Sequence, residues 1–99
     1  MPEFSIAPVG DIRTGQVIGA ADAAVQLSAV SVRTRRVVVQ ALSTNTAPLV
    51  VGKAGVTAGT GHKLAAGKDV EIWINDLSKL YVVPAVLNEG VSFLAEVDA

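Results

Sequence analysis

Residues 69–86, DVEIWINDLSKLYVVPAV, contain two apolar segments separated by a turn. Its apolar residues Val70, Ile72 and Ile74 occupy every second position, as expected of a strand with one buried face. Residues 75–78, NDLS, then interrupt this alternation and are predicted to form a turn. A second short strand follows at 79–83. A strand, a turn and a second strand in so few residues predict an antiparallel sheet.

The same alternation recurs along the chain, and turn residues separate the apolar segments by roughly 8–12 positions. This spacing predicts a single all-β domain over residues 15–99, a small sandwich or jelly roll of seven or eight short antiparallel strands. Further strands are predicted at residues 16–18, 24–27, 35–43, 49–52 and 91–97, with a short extended piece at 63–65. The predicted core comprises Val37, Val39, Val70, Ile72, Ile74, Phe93 and Val97.

Composition supports a sheet and suggests assembly. Apolar residues make up 51% of the 99 residues, with 17 valines, 15 alanines and four aromatic residues. Valine fits a pleated surface and is stiff in helices, which favours strands. The mean hydropathy of +0.49 is high for a domain that leaves much of its surface in water. We therefore expect a partner, or other copies of the chain, to cover part of the surface.

Charge and cysteine content exclude several classes of function. The net charge of −1 lacks the basic excess of a nucleic-acid binder, so no nucleic-acid partner is expected. The absence of cysteine excludes disulfides and thiolate metal sites. The sequence shows neither a signal-peptide pattern nor an apolar run of about 20 residues, so we expect a soluble protein, made in a cytoplasm, with no membrane partner.

The chain offers little that could perform catalysis. His62, the single histidine, lies in a glycine-rich loop with no acidic residue close in sequence to orient it. One histidine without cysteine leaves few ligands for a transition metal. The glycines around it do not match a phosphate-binding loop, because Gly67 and Lys68 are followed by Asp69 and a strand. We expect no enzymatic activity, no metal and no cofactor.

Residues 1–14 are predicted to form an extended N-terminal arm. Two prolines in the first eight residues disfavour a helix or a central strand. Phe4, Ile6 and Val9 are nevertheless too apolar for a solvated tail, which makes them candidate contacts with another surface. The alternative is that this segment is an edge strand of its own domain.

The segment RTRR, residues 33–36, is the densest charge in the sequence. Its side chains Arg33, Arg35 and Arg36 could bind acidic groups on a protein partner. They could equally keep the start of an apolar strand solvated and protect it from wrong pairing. Both interpretations remain open from the residues alone.

Six motifs carry a resemblance to a known family. They are QALSTNT (40–46), VG (51–52), GVTAG (55–59), LAAGKDVEI (64–72), INDLSKLYV (74–82) and GVSF (90–93). Through these motifs the chain resembles small virion structural proteins of tailed bacteriophages. The resemblance covers about two thirds of the chain, from Val37 onward. The resemblance implies a β-sandwich that decorates the head or forms a module of a tail or fibre. It brings no catalytic residues.

The function expected from this resemblance is that of a capsid decoration (cement) protein on the virion surface. Its partners would be the major capsid protein, whose neighbouring subunits it would bridge, and other copies of itself, with a trimer as the expected assembly. The alternative is a tail or head-fibre module that recognises host carbohydrate. That function needs exposed aromatic rings, and only Trp73 and Tyr81 are candidates, although strand patterns more often give such residues a packing role.

Overall fold

The computed structural model describes residues 11–97, which form eight strands and one short 3₁₀ turn. The turn, Leu77–Lys79, lies between the sixth and seventh strands, where the sequence predicts NDLS to turn. The strands are β1 (Asp11–Gly19), β2 (Val25–Gln26), β3 (Thr34–Ala41), β4 (Leu49–Gly52), β5 (His62–Leu64), β6 (Asp69–Trp73), β7 (Tyr81–Val83) and β8 (Glu89–Val97).

These strands build two four-stranded sheets that pack face to face. The first sheet has the order β1-β8-β3-β6 and the second the order β2-β7-β4-β5. All the pairs are antiparallel, and the first strand pairs with the last, the second with the seventh, the third with the sixth and the fourth with the fifth. The prediction of an all-β sandwich is therefore confirmed.

The core lies between the inner faces of the two sheets. Val37 and Val39 are fully buried, as the alternation in β3 predicts. The other predicted core residues are partly buried and pack against this core: Val70, Ile72, Ile74, Phe93 and Val97. Three of these lie on or just after β6, which is an edge strand of its sheet, so one side of each remains accessible. The second sheet adds residues such as Leu49 and Val82.

Strand β1 begins earlier than the sequence indicates. It starts at Asp11, which is paired with Val97, and runs antiparallel to β8 as far as Gly19. Residues 11–14, which the sequence assigns to the arm, thus belong to an edge strand of the domain. The candidate arm contacts Phe4, Ile6 and Val9 lie outside the described residues.

Asp76 connects two loops at one end of the sandwich. Its carboxylate accepts hydrogen bonds from the Ser31 hydroxyl at 2.5 Å, from the Val32 N–H at 3.1 Å, and from both the N–H and the hydroxyl of Ser78. The Ser31 hydroxyl first, and then Ser78, hold the pKa of Asp76 well below its usual value. The ionised carboxylate therefore ties the β2–β3 loop to the 3₁₀ turn.

Candidate functional site

The outer face of the second sheet is covered by the chain itself. Val50 and Val83 lie on this face, yet they are almost completely buried, because the β4–β5 loop folds back and packs Val56 on them beside Tyr81. Gly61 makes room for this packing, since a Cβ at that position would lie 2.6 Å from Val56 Cγ2. The β4–β5 loop therefore covers the apolar residues Val50 and Val83 on this side of the second sheet.

The outer face of the first sheet is open. Trp73 is 72% exposed, and Ile12 and Ile18 are 58% and 48% exposed. The strand register places these side chains on the side of the sheet opposite the core. We call this surface the open face; its residues are Ile12, Thr14, Gln16, Ile18, Arg36, Val38, Gln40, Asp69, Glu71, Trp73, Ser92, Leu94 and Glu96.

A shallow groove of about 590 Å³ runs across the open face. Half-buried Val38 and Leu94 form part of its floor, and Gln16 and Gln40 line its sides. Gly15 pairs with Phe93, and a Cβ at Gly15 would lie on the opposite side of the sheet, 3.0 Å from the Phe93 ring. The groove thus combines an apolar floor with amide and hydroxyl groups.

An ion-pair network stands at one end of the open face. The guanidinium of Arg36 donates to Glu71 on one neighbouring strand and to Glu96 on the other, the latter at 2.7 Å. These hydrogen bonds, with Glu71 first, raise the pKa of Arg36, so the group stays charged. The Arg36 guanidinium carbon lies 6.0 Å from the centre of the Trp73 ring, within the range of a cation–π contact. Planar polar groups are therefore fixed beside an exposed indole.

A β-bulge in β3 places Arg36 on this face. The pairing with β8 shifts between Thr34, opposite Val97, and Arg36, opposite Glu96. In a regular strand, Thr34 and Arg36 would point to the same side. Here Thr34 is buried and donates its hydroxyl to the Ile74 carbonyl at 2.6 Å, whereas Arg36 lies on the open face.

The three arginines proposed from the sequence occupy different environments. Arg33 and Arg35 are exposed, and Arg33 forms a backbone bridge with Asp76. Arg36 already binds two carboxylates of its own chain, so its charge is compensated within the domain. The segment RTRR thus places Arg33 and Arg35 at the surface and Arg36 in the ion-pair network of the open face.

The two aromatic candidates differ in the structure. Tyr81 is partly buried against the second cluster of valines, in line with the expected packing role. Trp73 does not follow that expectation, because it is exposed on the open face. Sequence reasoning also missed Ile12 and Ile18 as surface residues. For Trp73, the sequence signal was the alternation in β6, which puts Trp73 on the side opposite Ile72.

The described residues contain no group of three or more His, Cys, Asp or Glu side chains that could hold a metal ion. His62 is exposed at the start of β5, beside a second shallow depression along the β4–β5 loop. Within residues 11–97, no helix is long and apolar enough to cross a membrane.

Comparisons with known proteins give no family for the chain. No protein-family model matches it, and no curated protein matches it. Among solved structures, a Bacillus endospore appendage from a family of disulfide-linked pili aligns with a TM-score of 0.46 and 18% sequence identity, over 99% of this chain and 100% of that chain. This level of similarity is too low to support an inference about the function of this chain.

Proposed function

We propose that this protein is a structural subunit of a tailed-phage particle, namely a capsid decoration protein. It is made in the host cytoplasm and binds the outside of the head shell, where it bridges neighbouring major capsid subunits. Its partners are the major capsid protein and other copies of itself. It acts through contact surfaces, without catalysis or a cofactor.

The observation that carries this proposal is the open face. Trp73, Ile12 and Ile18 expose large apolar side chains on one side of a sandwich whose other sheet is covered by its own loop. These side chains lie at both edges of one sheet, where they offer apolar contact points to a partner protein on the same side of the domain. Many copies of such a subunit on a shell would add modest individual contacts into firm attachment.

The strand pairing supports the proposal at the level of architecture. Each strand of the first half pairs with its counterpart from the second half, as when one long hairpin is rolled up. We infer that this is the jelly-roll arrangement. Jelly rolls are common in viral capsid proteins and in lectins. A fold by itself does not assign a function, so this argument adds to the surface and does not replace it.

The motifs shared with phage virion proteins coincide with residues that stabilise the fold. Asn45, Val56 and Asp76 each lie in one of the quoted motifs, and each anchors a loop through buried packing or hydrogen bonds. The resemblance therefore supports a shared fold.

The proposal is tested on purified particles of the phage that encodes the chain. Mass spectrometry should find the protein in a constant ratio to the major capsid protein, and a particle map should place its density on the outer head. Heads stripped of the protein should bind the recombinant chain again, and a Trp73→Lys variant should bind less tightly than a Leu87→Lys variant, which changes an exposed residue outside the open face. Absence from purified heads would refute the proposal.

Two further candidate contacts can be separated on the same stripped heads. Deleting residues 2–10 removes Phe4, Ile6 and Val9, and it should reduce occupancy if the arm binds the shell. Binding through Arg33, Arg35 and Arg36 should weaken as the salt concentration rises, whereas apolar contacts should not. Unchanged binding by the truncated protein would eliminate the arm as a contact.

A specific observation favours a second candidate function, carbohydrate recognition by a tail or head fibre. Exposed Trp73 stands beside Arg36, whose guanidinium is fixed in place by Glu71 and Glu96. An aromatic ring stacks on the apolar face of a sugar, while fixed planar polar groups bind its hydroxyls.

Glycan-array binding tests this second candidate. A sugar ligand should be lost in Trp73→Ala and retained in part by Trp73→Phe, with unchanged circular dichroism in both variants. If the unmodified protein binds no glycan on a broad array, while it binds stripped heads, the decoration function stands alone.

A further inference from the structure

Strand β1 is a long sheet edge without a partner strand among the described residues. It has nine residues, whereas the other edge strands β2, β5 and β6 have two, three and five. Natural proteins protect sheet edges by keeping them short or by placing lysine or proline on them. The sequence of β1, DIRTGQVIG, contains neither residue. Charged side chains also protect edges, but the two in β1, Asp11 and Arg13, lie at its beginning, and the strand is uncharged from Thr14 to Gly19. This edge is therefore open to pairing with another strand.

The backbone groups that face this edge can be assigned from the ladder. The Leu42 N–H donates to the Gly90 carbonyl at 3.1 Å, so the even-numbered residues of β8 bond toward β3. The odd-numbered residues of β8 then bond toward β1, and their partners in β1 are also odd-numbered. The N–H and C=O groups of the even-numbered residues from Ile12 to Ile18 consequently point to the open edge.

An independent hydrogen bond agrees with this assignment. The Ile12 N–H donates to the carboxylate of its own neighbour Asp11 at 2.8 Å, and not to a carbonyl of β8. The Asp11 carboxylate here accepts the hydrogen bond that the Ile12 N–H would donate to a neighbouring strand.

The sequence of β1 is self-complementary about Gly15. If a second β1 lies antiparallel to the first with the two Gly15 residues opposite each other, Ile12 faces the partner's Ile18 and Thr14 faces the partner's Gln16. Each facing pair consists of even-numbered residues, so its N–H and C=O groups point at each other. Ile12 and Ile18 lie on the same side of the sheet and are both exposed in the single chain.

We propose that two copies of this chain associate edge to edge along β1, with Gly15 at the two-fold axis. The two first sheets then form one continuous eight-stranded sheet, and Ile12 of each copy packs on the partner's Ile18. The two open faces join into one surface, with the grooves that contain Gln16 adjacent across the axis. This contact makes a dimer, in place of the trimer expected from the sequence, and it does not depend on a role in a phage particle.

Disulfide trapping tests the register, because the chain has no cysteine of its own. An Ile12→Cys variant is mixed with an Ile18→Cys variant and oxidised. Facing residues of a hydrogen-bonded pair have Cα atoms about 5.5 Å apart, a separation that a disulfide spans. Each variant alone should stay uncrosslinked, since equivalent positions would lie six residues, roughly 20 Å, apart along the strands. The mixture should give a crosslinked product of twice the 10.1 kDa mass.

A matched mixture of Ile12→Cys with Leu87→Cys controls for random collision, because Leu87 is equally exposed but lies outside β1. Light scattering provides a second measurement. The unmodified chain should have twice the mass of an Ile12→Lys variant, and a Leu87→Lys variant should remain dimeric. The proposal is overturned if the Ile12→Cys and Ile18→Cys mixture crosslinks no more than the control mixture, or if either variant crosslinks with itself equally well.

Discussion

The side chain of Asn45 and the backbone of Gly90 exchange hydrogen bonds at the start of β8. The Asn45 amide donates to the Gly90 carbonyl at 2.9 Å, and the Gly90 N–H donates to the Asn45 side-chain carbonyl at 3.3 Å. Asn45 is buried and follows the end of β3. Its side chain thus continues the ladder of β3 past the last residue of that strand.

Replacing Asn45 with alanine should destabilise the domain by about 1–3 kcal/mol, because the buried Gly90 N–H loses its partner. Urea unfolding followed by circular dichroism measures this loss. Asn75→Ala is the matched control, since the Asn75 side chain binds Lys79 at the surface, and it should change stability by less than about 0.5 kcal/mol. Equal effects of the two substitutions would contradict the role given to Asn45.

Asp76 should make the fold sensitive to acid. Its pKa is lowered in the folded state relative to about 3.9 in an unfolded chain, so the unfolded state binds the proton more readily. The carboxylate therefore adds stability above about pH 5, and this contribution is lost progressively as the pH falls below about 4. Unfolding midpoints of the unmodified chain and Asp76→Asn should differ at pH 7 and converge at low pH. As a control, Asp69→Asn removes an exposed carboxylate and should leave the unfolding midpoint at pH 7 unchanged.

An aspartate substitution in β6 should destabilise the domain at Ile72 but not at the adjacent Trp73. Ile72→Asp places a carboxylate against the core and should cost at least about 2 kcal/mol, enough to unfold a marginal domain. Trp73→Asp changes the open face and should leave the β-type circular dichroism spectrum intact. Thermal unfolding of both variants checks this. Unfolding of the Trp73 variant with a stable Ile72 variant would invert the assignment of the two faces.

Alanine substitutions at two glycines of the β4–β5 loop should have different effects on stability. A Cβ at Gly61 would lie 2.6 Å from Val56 Cγ2 and 2.8 Å from the Val51 carbonyl oxygen, so Gly61→Ala should displace Val56 and cost about 1–3 kcal/mol. Gly59 has no atom within 4 Å of a Cβ, and Gly59→Ala should be neutral or slightly stabilising. The midpoints of urea unfolding distinguish these outcomes. A stable Gly61→Ala variant would show that the loop does not pack as described.

The alternation of apolar residues was sufficient to predict most of the strands. β4 begins and ends at the predicted residues, and β3, β6 and β8 differ from prediction by one or two residues at their ends. For residues 11–14 the sequence favours an extended arm and leaves an edge strand as the alternative, because Asp11 to Thr14 have no apolar alternation; the structure places them in edge strand β1. Their place in the sheet comes from long-range pairing with β8, which local sequence does not encode.

The arrangement of the open face was harder to predict from the sequence than the strands. Alternation places Arg36 and Glu71 on outer faces, but their ion pair depends on β3 lying beside β6, a pairing of residues 35 positions apart. The exposure of Trp73 depends on which sheet the β4–β5 loop covers. The loop covers the second sheet through Val56, and the alternation in β6, which places Trp73 opposite Ile72, does not show which sheet the loop covers.

The pairing of Asp11 with Val97 places the start of β1 and the end of β8 side by side at one end of the sandwich. Facing residues of antiparallel strands are only about 5 Å apart, so a linker of a few residues could join these two points. A circularly permuted chain, opened instead in the exposed β4–β5 loop around Gly59, would then keep all eight strands intact. The same closeness means that peptides fused before Asp11 and after Val97 would project from a common point, which suits the domain to presenting two cargoes together.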